Sequence, residues 1–165
     1  MKFNCRPVGI EFLENAPVQF VNQVELAASP AQVFEIFENA EAWPQWYKEI
    51  VNVEWHGSQP YGVGTTRTVK LTTVTVEEYF FVWEQNQRLA FYFTGMSLPL
   101  AKALVEEYRL IPLGEHRSQF TYKVSLEPSF WLRLGGPFIL KVYAKMFQQA
   151  TADLAEYIRS QSVIS

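Results

Sequence analysis

Cysteine is nearly absent from this chain and histidine almost as scarce, with Cys 1 and His 2 in 165 residues. A lone thiol, Cys5, makes no internal disulfide, which fits a reducing compartment, and a cytoplasmic location is the expectation. Two histidines and one distant cysteine give no metal-ligand spacing, so neither a metal nor a cofactor is expected. His56 and His116 both fall near turns, where a solvated loop residue is a commoner outcome than a general base. Gly62-Val63-Gly64 is not followed by the Gly-Lys-Ser/Thr of a phosphate loop, and there is no Gly-x-Ser-x-Gly elbow. Covalent catalysis therefore lacks a motif. Charge is thin as well: 19% of residues are charged and the formal net charge is −3, so nothing draws the chain to a phosphate backbone and no nucleic-acid partner is expected. The best apolar stretches are interrupted by Pro99, Lys102, Lys141 and Lys145, short of the roughly 20 residues that span a bilayer. The N-terminus carries Lys2 and Arg6 but no apolar run of the secretory kind.

What the chain has in quantity is hydrophobic surface and rings. Hydrophobic residues make up 48% and aromatic residues 16%, with 13 Phe, 8 Tyr and 5 Trp. Such a composition excludes disorder and suits one domain with a substantial core. The rings either meet in a large aromatic core or line a core left partly open. No repeat, low-complexity run or linker divides the chain. Residues 1–16 show no clean period and end near Pro17, as a leader or short extra strand does, and 17–165 read as a single domain.

The order of elements follows from periodicity. From Val18 the apolar residues Val18, Phe20, Val24 and Leu26 alternate with polar ones, the mark of a half-buried strand. Ser29, Pro30 and Gln32 then supply an N-cap, a first-turn proline and a capping-box partner for a helix with Val33, Phe34 and Phe37 on its apolar side. A second short helix is expected over about Ala40 to Lys48. Strands follow at Val51–Trp55 and, after a loop from Gly57 to Gly64, at about Thr65–Thr72, Val74–Glu84, Arg88–Thr94, Leu104–Leu113 and Arg117–Glu127. The short turns between the later ones make an antiparallel meander. In the last strand Phe120, Tyr122, Val124 and Leu126 share a dry face, opposite a wet face of Gln119, Thr121, Lys123, Ser125 and Glu127. Gly135 and Gly136 precede one long helix, Pro137 to Ser160, with Ile139, Val142, Tyr143, Met146, Phe147, Ala150, Leu154, Tyr157 and Ile158 along one side. Strand, two helices, meander and long helix define an α+β fold in which the helix lies on the sheet.

These residues also resemble a known family. The segment Val24 to Trp55, with its Ala-Ser-Pro-Ala-Gln-Val-Phe helix start, the aromatic Trp43-Pro44-Gln45-Trp46 and a Val-rich strand, is similar to the opening of the SRPBCC superfamily. That group includes START lipid-binding domains, the Bet v 1-like pollen-allergen fold and polyketide cyclase/dehydrase proteins, to which this chain is most alike. The stretch from Trp83 to Phe91 resembles the family's mid-sheet strand, turn and strand, although proline is common there where Gln85 and Asn86 stand. The resemblance covers about Val18 to Ile158. It implies a helix-grip fold: a curved antiparallel sheet wrapped around the long C-terminal helix, with two short helices after the first main strand and a cavity between sheet and helix.

A concave sheet face under an amphipathic helix is a natural small-molecule site, and a hydrophobic small molecule such as a lipid, sterol or polyketide is the expected partner. Phe34, Trp46, Trp83, Phe91, Phe93, Tyr108, Phe120, Tyr122, Tyr143 and Phe147 are the expected lining, unless the rings close the space on themselves. Glu106 shares a strand face with Leu104, Tyr108 and Leu110. Its carboxylate either stays solvated at the rim, the commoner outcome, or is desolvated with a raised pKa suited to proton transfer. Glu78 and Arg67 raise the same question. Tyr108 and Tyr122 offer hydroxyls to a ligand carbonyl or, as often, to the protein. Glu106 and Tyr108 are thus the candidate catalytic groups. Phe130 to Lys145 mixes rings and basic residues without an acid, a composition suited to transient contact with a membrane surface. Three classes of function remain: a carrier, an enzyme of cyclase, aromatase or dehydratase type, and a co-chaperone-like interaction module with a filled core.

Overall fold

The apolar stripe near the C-terminus is one helix, α5 (Gly136–Ile164), in the computed structural model, which describes residues 1–164. The helix runs about one turn beyond the expected end. Phe147, Ala150, Leu154 and Ile158 of its inward side are buried, whereas Val142, expected on the same side, is 52% exposed. Phe147 meets Phe20 of strand β2 (Val18–Leu26) at a ring separation of 5.6 Å. A short helix α4 (Phe130–Leu134) precedes α5, and its N-cap Ser129 accepts a hydrogen bond from the Leu132 amide at 3.2 Å. The two helices part at Gly135 and Gly136. Gly136 takes φ +69°, a conformation that costs an L-residue about 1–2 kcal/mol. Gly136→Ala is therefore expected to lower stability by about that much, read as a reduced urea midpoint at unchanged slope.

The strands form one eight-stranded sheet. Its main path runs β2, β8 (Arg117–Pro128), β7 (Ala101–Gly114), β6 (Arg88–Met96), β5 (Thr75–Glu84), β4 (Thr66–Leu71) and β3 (Ile50–His56). Every pair on this path is antiparallel. Sheet and C-terminal helix together are the helix-grip architecture.

After β2 comes α2 (Pro30–Glu38), whose capping box is complete: Ser29 Oγ accepts from the Gln32 amide, and Gln32 Oε1 accepts from the Ser29 amide at 2.9 Å. The second short helix is broken where one was expected, into a 3-10 turn (Ala40–Ala42) and α3 (Trp43–Trp46). Pro44, with no amide hydrogen to give, sits in the first turn of α3.

Residues 1–16 form β1 (Phe3–Asn4), paired antiparallel to β6, and α1 (Ile10–Asn15). The pairing of β6 with β7 ends at Tyr92 and Val105. Beyond that point the two strands separate, and the first residues enter the gap. The Cys5 amide donates to the Thr94 carbonyl on one side and the Arg6 amide to the Lys102 carbonyl on the other, at 3.0 and 2.8 Å.

The outer face of the sheet is drier than expected, because α1 covers part of it. Ser125, placed on the wet face by alternation, is fully buried and donates to the Leu13 carbonyl at 2.8 Å. Glu107 is also buried there, between Arg88 and Arg109. No helix among the described residues is long and apolar enough to cross a membrane.

Candidate functional site

The inner face of the sheet and the first half of α5 enclose a pocket. The space between its atoms is about 810 Å³, part of it open at the mouth. Sheet and helix bound it on opposite sides, as a slot. Alternation on each strand decides what faces it: Val69 and Arg67 on β4, Val76 and Glu78 on β5, Leu104, Glu106 and Tyr108 on β7, Tyr122 and Leu126 on β8. Helix α5 supplies Leu140, Tyr143, Met146 and Phe147 as the roof.

The wall is apolar except at its closed end. There Arg67 and Glu78, direct cross-strand partners in the β4–β5 register, form a buried ion pair with both side chains 3% exposed. The guanidinium also lies among four rings, its Cζ 4.6 Å from the centre of Trp43, 5.1 Å from Trp55, 5.1 Å from Phe80 and 5.0 Å from Phe91. Charge pairing and ring faces together hold a cation that burial would otherwise reject. Burial pushes the Glu78 carboxyl up, and the Arg67 guanidinium opposes the rise.

Glu106 is buried on the inner face rather than solvated at a rim. The reason is its place mid-strand on β7, flanked by Phe91 on β6 and Val124 on β8 in the register. Tyr122 donates its hydroxyl to Glu106 Oε1. Burial pushes the Glu106 carboxyl up to about 8, with the charge of Glu78 adding to the rise. At neutral pH it is mainly a carboxylic acid. Tyr47 places its hydroxyl 3.4 Å from that of Tyr122. Burial, reinforced by Glu106, raises Tyr108 and Tyr122 well above the ordinary tyrosine value, so both remain hydroxyl donors. The Tyr108 hydroxyl has no hydrogen-bond partner among the described residues, although the side chain is only 3% exposed and lines the pocket. This end of the slot offers a neutral acid and phenolic hydroxyls and can hold or polarise one oxygen-bearing group.

Of the aromatic residues expected in the lining, Phe93, Tyr108, Tyr122, Tyr143 and Phe147 face the pocket, while Phe34, Trp46, Trp83, Phe91 and Phe120 do not. Those five belong to ring clusters around its closed end, because α2 and α3 plug that side of the curved sheet. Phe37 links Phe34 and Phe120 at 6.2 and 5.5 Å, Phe91 packs on Phe80 at 4.7 Å, and Trp46 packs on Trp43 at 4.9 Å. Trp83 stands edge-on to Phe34 at 6.0 Å and donates to Gln85. A bulge between Phe80 and Val82 shifts the register there, which brings Trp83 onto the inner cluster. Sequence reasoning missed Trp43 and Tyr47 as lining residues, although Trp43 lies in the aromatic motif that carries the family resemblance.

His56 lies at the exposed end of β3, hydrogen-bonded to Thr66 and Thr68 and absent from the lining, and His116 is exposed in the β7–β8 turn. Among the described residues no group of His, Cys, Asp and Glu is arranged to hold a metal ion.

Sheet, long helix and enclosed slot define a START-like protein of the SRPBCC superfamily. More particularly, the chain belongs to the polyketide cyclase/dehydrase and lipid transport family, whose model matches residues 17–159. Uncharacterized proteins of Mycobacterium tuberculosis and Mycobacterium bovis are each 41% identical to it over 115 residues, 68% of this chain and 69% of theirs. A START superfamily protein of Mycobacterium smegmatis superposes with a TM-score of 0.73 at 16% identity, covering 87% of this chain and 98% of that one. The Zhui aromatase/cyclase of a Streptomyces species superposes at 0.66 with 12% identity, over 84% and 93% of the two chains. At such identities the two structures establish a shared fold.

Proposed function

We propose that this protein binds and carries a hydrophobic small molecule of lipid, sterol or polyketide type, with its apolar body under α5 and one neutral oxygen-bearing group at Glu106, Tyr108 and Tyr122. The observation that carries this reading is the unpartnered Tyr108 hydroxyl at the closed end of an apolar slot. Arg67 is committed to Glu78, so no free cation waits for a carboxylate, and a ketone, alcohol or phenol suits the remaining groups better. A family described by both polyketide cyclisation and lipid transport is compatible with such a ligand. Ligand exchange at a lipid surface through Phe130 to Lys145 belongs to the same reading, as does a cytoplasmic setting. The open slot counts against an interaction module with a filled core.

Trp43 lines the slot, so tryptophan emission reports occupancy. Titration with a long-chain methyl ketone should quench it at a Kd about tenfold below that for the fatty acid of equal length. Leu104→Trp, which puts an indole into the slot, should abolish both responses. No response to any probe, together with bare protein in native mass spectrometry of the fresh preparation, would remove the carrier reading.

A second reading, an enzyme of cyclase, aromatase or dehydratase type, is favoured by Glu106. A carboxylic acid kept protonated at neutral pH beside a tyrosine hydroxyl is equipped to donate a proton to a ligand carbonyl oxygen. Under that reading Glu106→Gln loses turnover of a poly-β-ketone substrate while affinity changes little; in a carrier no turnover exists to lose.

A further inference from the structure

The beginning of α5 departs from the amphipathic rule that the rest of the helix obeys. Leu140, Tyr143 and Phe147 turn inward onto the pocket, yet the outward side carries Phe138 and Val142, 74% and 52% exposed. Helix α4 adds Phe130, Trp131 and Leu134 at 63%, 64% and 64%. The Ser129 amide bonds the Leu100 carbonyl at 3.0 Å, which sets the β6–β7 turn with its exposed Leu98 beside them. A monomer in water rarely leaves so many large apolar side chains together on one face.

The charge on this face is basic apart from Glu127, which lies near Arg133 and is paired with Arg6 and Lys102. Arg133, Lys141 and Lys145 stand among the exposed rings, and no Asp or Glu occurs between Glu127 and Asp153. None of the three is in an ion pair among the described residues. The pocket opens here too. Its half-buried lining residues Leu100, Leu140 and Tyr143 adjoin α4 and the start of α5, whereas Trp43, Arg67 and Glu78 at the other end are buried.

We infer that the face formed by α4 and the first turns of α5 docks on an anionic lipid bilayer, with the mouth of the pocket against the membrane. Exposed rings seat among headgroups and acyl chains while basic side chains reach the lipid phosphates. A second copy of this chain is the poorer occupant, since a two-fold pairing would set Lys141 and Lys145 against their own kind. The purpose of docking rests on the binding reading above; docking itself does not.

The test is co-sedimentation of the full chain with phosphatidylcholine vesicles, with and without about a third phosphatidylglycerol. Binding to the anionic vesicles should be about tenfold stronger and should weaken as salt shortens the reach of the charges. Trp131→Ala with Phe138→Ala should cut it about tenfold, and Lys141→Gln with Lys145→Gln should remove the preference for anionic lipid. All four side chains point to solvent or are only partly covered, and circular dichroism checks that the variants keep the fold. Equal binding to both vesicle types, or binding that ignores the substitutions, overturns the inference. So does a dimer in lipid-free buffer that Trp131→Glu dissolves, with no vesicle binding. Ligand titration without lipid keeps the two readings apart: docking without ligand uptake defeats the carrier alone, and uptake without docking defeats this inference alone.

Discussion

Arg67→Met is expected to destabilise the fold by about 3–5 kcal/mol, the usual result of stripping one partner from a buried ion pair. The methionine nearly fills the volume, so the loss is electrostatic. Glu78, 3% exposed, is left with no counter-charge, and the rings of Trp43, Trp55, Phe80 and Phe91 lose their cation. No other cation replaces it, for Arg88 is engaged with Glu107. The double variant Arg67→Met/Glu78→Met should recover most of the loss, to within about 1 kcal/mol of the parent, because neither buried charge then remains. Urea unfolding at neutral pH measures all three. Additive losses in the double variant would mean that the pair is not a coupled unit, and that Arg67 is held by its rings alone.

The second large effect is a fall of stability with rising pH that belongs to Glu106. In the folded chain its carboxyl keeps its proton up to about 8, whereas an unexposed-to-exposed change on unfolding returns it to about the ordinary value of 4.5. Between those values the folded state binds more protons than the unfolded one, so stability decreases as pH rises. The contribution is fully present below the unfolded value and gone above the folded one. At 1.36 kcal/mol per unit, it amounts to several kcal/mol. Glu106→Gln keeps a neutral side chain of the same shape and has no proton to lose. From about pH 5 to about pH 9 the parent's urea midpoint should fall more steeply than that of the variant, in which only the raised Glu78 carboxyl still titrates in this direction at the site, with the variant the more stable at the alkaline end. Parallel profiles would show that Glu106 ionises freely in the folded chain.

The architecture was readable wherever one periodic pattern ran long enough to average over local exceptions. Helix α5 and the meander gave such runs, and Ser29, Pro30 and Gln32 marked the start of α2 by chemistry that needs no tertiary context. Short elements offered no comparable signal. Residues 3–4 and 10–15 are strand and helix because β6, β7 and β8 provide partners for them, which lie far along the chain. The site was readable in part. Parity along β7 placed Leu104, Glu106 and Tyr108 on one face, but a carboxylate's burial depends on what packs around it, and here Phe91, Val124 and the Tyr122 hydroxyl on neighbouring strands surround it. Arg67 and Glu78 each had the parity of their apolar neighbours; what joined them was the register of two adjacent strands, which a single sequence does not fix. The same limit separates Phe93 from Phe91. Both are inward-leaning rings on β6, and only the plug made by α2 and α3 decides which one meets open space.

The two-residue strand β1 bears on how the pocket comes into being. It is made before β6, with which it pairs about ninety positions later in the chain, and the residues that follow it reach β7 through the Arg6 amide, next to the Met96 and Ala101 that wall the pocket. The roof, α5, follows every strand of the sheet in the chain. When β7 has been released the partners of the seam between β6 and β7 are all present but α5 is not, so the slot still lacks its roof. Closure joins residues far apart in the sequence, β1 with β6 and Phe147 of α5 with Phe20 of β2, and contacts so distant along the chain make for late, cooperative assembly.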